Sequence, residues 1–179
     1  MTDPQEHIHP VYLQPRVVLV WAVTAAWAGI MSVLSTRAYS SSVTGSLLAQ
    51  LLFLLHIHLT PQTFATIHFL IRKLAHCTEF AVFGLLLYQS FEPRHPERWN
   101  TRGAFGALLV AGLFSLTDEY HQSFVPGRTA SLVDCGIDTS GAFLALVLLY
   151  GGKRLYASNS NIAAANESKA EMKKGAGGE

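Results

Sequence analysis

Long apolar tracts alternate with short polar clusters along the chain, and the spacing of the tracts predicts helices. Val17 to Leu34 is apolar apart from Thr24 and Ser32, and as a helix it would measure roughly 27 Å, close to the hydrocarbon thickness of a bilayer. That predicts a first spanning helix, flanked by Arg16 and Arg37. Ser35 to Gly45 is rich in Ser and Thr, has no apolar periodicity and reads as a surface loop. Leu47 to Leu59 is apolar again but short; Gln50, His56 and His58 interrupt it and Pro61 follows. A helix lying in the membrane interface is expected there rather than a crossing.

A second spanning helix is predicted from about Phe64 or Thr66 to Ser90, with its apolar bulk between Leu74 and Tyr88. Arg72, His76 and Glu79 stand at i, i+4 and i+7, which sets them along one stripe near one end only. The segment FEPRHPERWNTR, from Phe91 to Arg102, breaks the pattern with two prolines and three arginines and reads as a hydrophilic turn. Gly103 to Leu116 is the body of a third helix, in which Gly106, Ala107, Ala111 and Gly112 would let a neighbouring backbone approach closely. Its far end is polar: Ser115, Asp118 or Glu119, and Gln122 share a face, and Val125, Pro126 and Gly127 make a turn. A fourth helix is predicted from near Ser131 to Tyr150, with Asp134, Asp138 and Gly141 on one stripe. After Gly151 and Gly152 the residues are mostly small or polar, which predicts disorder from about Ser158.

Composition turns this pattern into a membrane reading. Half of the residues (50%) are hydrophobic and only 14% are charged, against about 25% in ordinary globular chains. The expected fold class is all-α, an integral membrane four-helix bundle with a short interfacial helix between helices one and two. Residues 1–15 are expected to form a cytoplasmic N-terminal segment, 16–152 the transmembrane domain and 153–179 a disordered cytoplasmic tail. Met1 to Pro15 is polar, unlike the basic opening of a cleavable signal, so the first apolar run is expected to stay as an anchor. A formal charge of +1 without a basic stripe gives no basis for a nucleic-acid partner. Cys77 and Cys135 lie within apolar segments and read as packing residues.

Orientation follows from the basic residues near the helix ends. With four crossings and the N-terminus inside, Arg16, Arg94, Arg98, Arg102, Lys153, Arg154, Lys169, Lys173 and Lys174 fall on the cytoplasmic side, and Arg37, Arg72, Lys73 and Arg128 on the other. That distribution predicts a multi-pass protein with both termini in the cytoplasm. The second helix then runs inward, the third outward and the fourth inward. Their polar residues therefore reach the same depth, near the external face.

Candidate chemistry concentrates in that cluster, where intramembrane charge is costly and marks function. Glu79, Asp118, Glu119, Asp134 and Asp138 stand against Arg72, Lys73 and Arg128. The acid excess leaves room for a proton, a cation or an amine-bearing ligand. Three uses remain open on the residues alone. Interhelical ion pairs could only fix the bundle; Glu79 or Asp118 beside His76 could act as catalytic acid or base; or His76 and Glu79 could ligate a divalent ion completed by Asp118 or Asp134. No GxSxG, HExxH or P-loop sequence is present, and no cofactor or resident metal is expected.

Two stretches, RKLAHCTEFAVFGLLLY from Arg72 to Tyr88 and DEYHQSFVPGRTASLVDCGIDTSGA from Asp118 to Ala142, resemble the signature blocks of the VanZ-like membrane proteins. Arg72, Lys73, His76, Glu79, Asp118, Glu119, Gln122, Pro126, Gly127, Arg128, Asp134 and Gly141 match that pattern position by position, while Asp138 stands where the family usually has Asn. The resemblance implies a bacterial plasma-membrane protein from a family associated with resistance to the glycopeptide teicoplanin. A cell-wall precursor, a lipid or a glycopeptide is the implied ligand. The expected binding set is Arg72, Lys73, His76, Glu79, Asp118, Glu119, Gln122, Arg128, Asp134 and Asp138. The alternative is a membrane-embedded hydrolase or transferase acting on a lipid-linked substrate through Glu79 or Asp118.

Overall fold

A computed structural model describes residues 15–35, 41–91, 99–124 and 131–175. Within them the chain is helical throughout its ordered elements: α1 (Pro15–Leu34), α2 (Ser41–Leu54), α3 (Pro61–Phe91), α4 (Thr101–Gln122) and α5 (Leu132–Gly175). Among the described residues there is no strand.

Local chemistry sets the helix ends. Thr60 opens α3, its Oγ1 accepting from the Thr63 N–H at 3.2 Å and its carbonyl from Phe64 N at 2.9 Å. Pro61 then occupies the first helical position, where its missing N–H costs nothing. The helix therefore begins several residues before the expected Phe64 or Thr66. Asn100 caps α4 by accepting from the Gly103 N–H at 3.0 Å, while its own amide donates to the Phe91 carbonyl at 3.1 Å. One side chain thus fastens the end of α3 to the start of α4.

Two expectations are corrected. The short helix was placed over Leu47 to Leu59 after a loop, but α2 starts inside the Ser-rich stretch and ends at Leu54. It stops because His56 takes a left-handed φ of 55°, with Ile57 N donating to Leu52 O at 2.9 Å and His56 N to Phe53 O at 3.1 Å. That is a Schellman closure with His in the place usually held by Gly. At the other end of the chain, α5 continues to Gly175 instead of giving way to disorder beyond Ser158. No proline interrupts that stretch, and its Ala, Glu and Lys residues are strong helix formers that extend a helix already nucleated.

The central helix is α3: α1, α4 and α5 all pack against it, and α4 and α5 pack against each other. The core consists of Phe80, Phe83, Leu87 and Tyr88 from α3, Ala107 and Ala111 from α4, Ala142 and Leu146 from α5, and Met31 from α1. Small residues on α4 and α5 face large ones on α3, which lets three helices share a thin interior. α1 lies antiparallel to α3, with Thr24 Oγ1 2.9 Å from Ser90 Oγ and Trp27 Nε1 donating to the Glu79 carbonyl at 3.2 Å.

The closest approach is between α3 and α5. A Cβ placed on Gly141 would stand 2.2 Å from the Cys77 carbonyl oxygen, and one on Gly84 would stand 2.8 Å from the Ala142 Cβ. Away from this seam, Phe105, Leu109, Leu113 and Leu116 of α4 and Leu144 and Leu148 of α5 face outward and are exposed. By length and composition, Pro15–Leu34 and Leu132–Ala163 are long and apolar enough to cross a membrane. α3 and α4 carry more polar residues, including the cluster of interest.

Gly141→Ala is expected to destabilise the fold by about 1–3 kcal/mol, because backbone rather than a flexible side chain blocks the new methyl group. Gly136 has nothing within 4 Å of its would-be Cβ, so Gly136→Ala should be neutral or slightly stabilising. Thermal unfolding followed by circular dichroism in detergent compares the two; equal midpoints would refute the close seam.

Candidate functional site

α3 and α5 run in the same direction with a fixed register, and that register assembles the polar residues. Lys73 Nζ donates to Asp134 Oδ1. One turn further, His76 Nδ1 lies 3.7 Å from Asp138 Oδ1, an ion pair whenever the imidazole is protonated. Asp138 is only 2% exposed, and Ser115 Oγ of α4 donates to its Oδ2 at 2.9 Å. The stripe Asp134, Asp138 and Gly141 thus faces α3 along its whole length.

Glu119 and Asp118 are neighbours in sequence but face different partners. Glu119, 5% exposed, accepts from the Ser131 N–H at 2.7 Å, at the N-terminus of α5, where the helix dipole favours a carboxylate. Asp118 turns the other way. Its Oδ2 accepts from Ser35 Oγ at 2.8 Å and from Gln122 Nε2 at 2.6 Å, and the same Gln122 amide donates to Ser35 Oγ at 2.8 Å. This triangle ties the end of α1 to the end of α4.

Between these two groups lies a cavity of about 140 Å³. Arg72, His76 and Glu79 line it from α3, Asp118 from α4, Ser35 from the end of α1 and Thr44 from α2; Met31, Leu34, Phe80 and Phe114 supply apolar wall. Arg72, His76 and Glu79 therefore do share a face, and it is the cavity face. Among the described residues no hydrogen bond reaches the Glu79 carboxylate, although it lies within the half-buried wall.

The structure divides the ten residues expected to form the site. Arg72, His76, Glu79 and Asp118 reach the cavity. Lys73, Asp134, Glu119 and Asp138 engage one another's helices at the seam, and Gln122 braces Asp118 from behind. Arg128 lies outside the described residues, as do Pro126 and Gly127. The cavity also takes Ser35 and Thr44, which the sequence reading left in a surface loop. For Ser35 the advance signal was its position directly after the first apolar tract. Among the described residues no group of three or more His, Cys, Asp or Glu is placed to hold a metal ion.

Among the described residues the chain is all-helical, two of its helices are long and apolar enough to cross a membrane, and ionic side chains meet at one end of the helices. The VanZ/LLP1 family model matches residues 18–155, most of the chain, and the protein belongs to that family. Comparison with curated proteins and with solved structures gave no match.

Ser35→Ala removes a donor to Asp118 and an acceptor from Gln122, leaving both with a lost partner in a site of low polarity. A loss of about 1–3 kcal/mol in stability is expected. A double-mutant cycle with Gln122→Ala should be clearly non-additive; simple additivity in the unfolding midpoints would show that the triangle is not coupled.

Proposed function

We propose that this VanZ-family protein crosses the plasma membrane of a bacterium four times, through α1, α3, α4 and α5, with both termini in the cytoplasm, and binds an amphiphilic cell-envelope component in an outward-facing pocket. The supporting observation is the cavity in which Arg72, His76, Glu79 and Asp118 meet Met31, Leu34, Phe80 and Phe114. Charged groups of both signs beside aromatic and aliphatic wall suit a ligand with a polar head and an apolar body. Arg72 is the cavity's fixed cation and suits phosphate or carboxylate. Lys73 is committed to Asp134 and acts as a brace for the α3–α5 seam rather than as a ligand contact. Glu79 offers a carboxylate to a cationic group on the same ligand. A cell-wall precursor, a lipid headgroup or the glycopeptide itself has this character, and through one of them the protein would contribute to teicoplanin resistance.

A second reading is favoured by one observation. Glu79 lines the cavity with no hydrogen bond from the described residues, which leaves it able to accept a proton from a bound lipid-linked substrate. Asp118 is held by two donors and is the poorer base.

The test is susceptibility of a glycopeptide-sensitive Gram-positive host expressing the protein, with teicoplanin and vancomycin side by side. Wild type is expected to raise the inhibitory concentration of teicoplanin several-fold, and Arg72→Ala or Arg128→Ala to abolish the gain at matched membrane abundance. Glu79→Gln should keep part of the protection, and more than Glu79→Ala, if the site only binds, because the amide loses the charge but retains shape and an acceptor. Loss in Glu79→Gln equal to that in Glu79→Ala supports proton transfer. Abundance falling together with protection in every variant would reduce the cluster to a scaffold, and no protection from well-expressed wild type would remove the resistance role.

A further inference from the structure

At the end of the bundle opposite the ionic cluster, α4 and α5 leave an apolar groove of about 360 Å³. Ala104, Phe105 and Leu108 of α4 and Phe143, Leu146 and Val147 of α5 form its walls, and Trp99, Thr101 and Tyr150 form its mouth. Thr101 to Leu108 spans about 10 Å of helix, a third of a hydrocarbon core. Phe105 is 69% exposed and Phe143 52%, so the groove opens sideways, toward the surroundings of the helices.

The mouth has a different chemistry from the walls. Tyr88 stacks on Trp99 with ring centroids 5.0 Å apart, and Trp99 meets Tyr150 edge-on at 5.0 Å. Two cations stand on this aromatic chain. Lys153 Nζ lies 4.9 Å above the Tyr88 ring and donates to its hydroxyl at 3.3 Å; the Arg154 guanidinium lies 5.5 Å from the Tyr150 ring, with its Nε donating to the Tyr150 hydroxyl at 3.0 Å. A third, Arg102, follows Thr101 on the exposed first turn of α4, where the helix dipole is also positive. Tryptophan and tyrosine with flanking Lys and Arg mark the depth of lipid headgroups.

We propose that this groove is a binding site for an anionic phospholipid, with one acyl chain lying between Phe105 and Phe143 and the phosphate held at the mouth by Arg154 and Arg102. Charge complementarity selects the occupant: an apolar slot with Arg154 on its mouth tyrosine and Arg102 on the adjoining turn of α4 disfavours a neutral lipid relative to one with a net negative head. Basic pockets between transmembrane helices select anionic headgroups in this way. Tyr150 orients Arg154 before the lipid arrives, which lowers the ordering cost of binding. The site rests on the reading that α4 lies in the bilayer, and it is separate from the outward pocket.

Trp99 is one of three tryptophans in the chain, and replacing the others (Trp21→Phe, Trp27→Phe) makes it a reporter at the groove mouth. In nanodiscs of phosphatidylcholine, a minor fraction of lipid is exchanged for chain-brominated phosphatidylglycerol or, in parallel, chain-brominated phosphatidylcholine. Brominated phosphatidylglycerol is expected to quench Trp99 about two-fold more strongly, and Arg102→Gln with Arg154→Gln to remove the difference, whereas Arg154→Lys preserves it. Equal quenching by the two lipids overturns the site. A preference that survives the double Arg variant places the selectivity elsewhere and also overturns it. Quenching by neither lipid would put Trp99 outside the hydrocarbon and overturn the membrane placement of α4 along with the site. Should the reporter variant fail to fold, native mass spectrometry of the unaltered chain with equimolar phosphatidylglycerol and phosphatidylcholine decides: retained phosphatidylglycerol supports the proposal, and equal retention rejects it.

Discussion

The backbone-to-backbone approach of α5 to α3 at Gly141 and Cys77 is the constraint on which the remaining geometry depends. With a would-be Cβ only 2.2 Å from a carbonyl oxygen, the position accepts hydrogen and nothing larger without moving a helix. Because the two helices touch there, their rotation and axial register are both fixed. Lys73 then falls beside Asp134 and His76 beside Asp138 on one side of the contact, and Tyr88 beside Lys153 on the other. A sub-ångström requirement at one glycine therefore organises both ends of the bundle. Small-residue seams of this kind replace the hydrophobic effect as the means of bringing helices together where the solvent is itself apolar.

Within that frame most of the cluster's charge is used to satisfy itself. Asp134 has Lys73, Asp138 has Ser115, Glu119 has the Ser131 N–H and Asp118 has Ser35 with Gln122. Such groups are expensive to bury, and removing one partner leaves the other stranded, so the network specifies which helices meet and at what height. Arg72, His76 and Glu79, all on the central helix, line the cavity wall. His76 belongs to both sets, lining the cavity while facing Asp138.

The two ends of the molecule therefore differ in kind. One end is ionic and enclosed by four elements; the other is aromatic, basic and open to the side. Both are built from residues one or two turns from the same α3–α5 seam. Among the described residues, Arg102, Lys153 and Arg154 stand at the aromatic end.

The sequence by itself determined the helical class, the order of the four long helices and the gathering of polar residues at one level, because apolar length and helical spacing are local properties that survive without knowledge of neighbours. The family blocks were legible for the same reason, as fixed spacings within single helices. It misjudged α2, since a Schellman closure at a non-glycine residue leaves no compositional mark, and it ended α5 early, since small and polar residues after two glycines look like a tail although they propagate an existing helix. Only tertiary structure decided which polar residues reach the cavity. Asp118 and Glu119 are adjacent and equally acidic, yet the α4 helix turns them about 100° apart, one toward Ser35 and the cavity, the other toward the start of α5. Ser35 entered the site for the complementary reason: nothing in its own segment is distinctive, and its role exists only because α1 ends at the height where α4 presents Asp118 and Gln122.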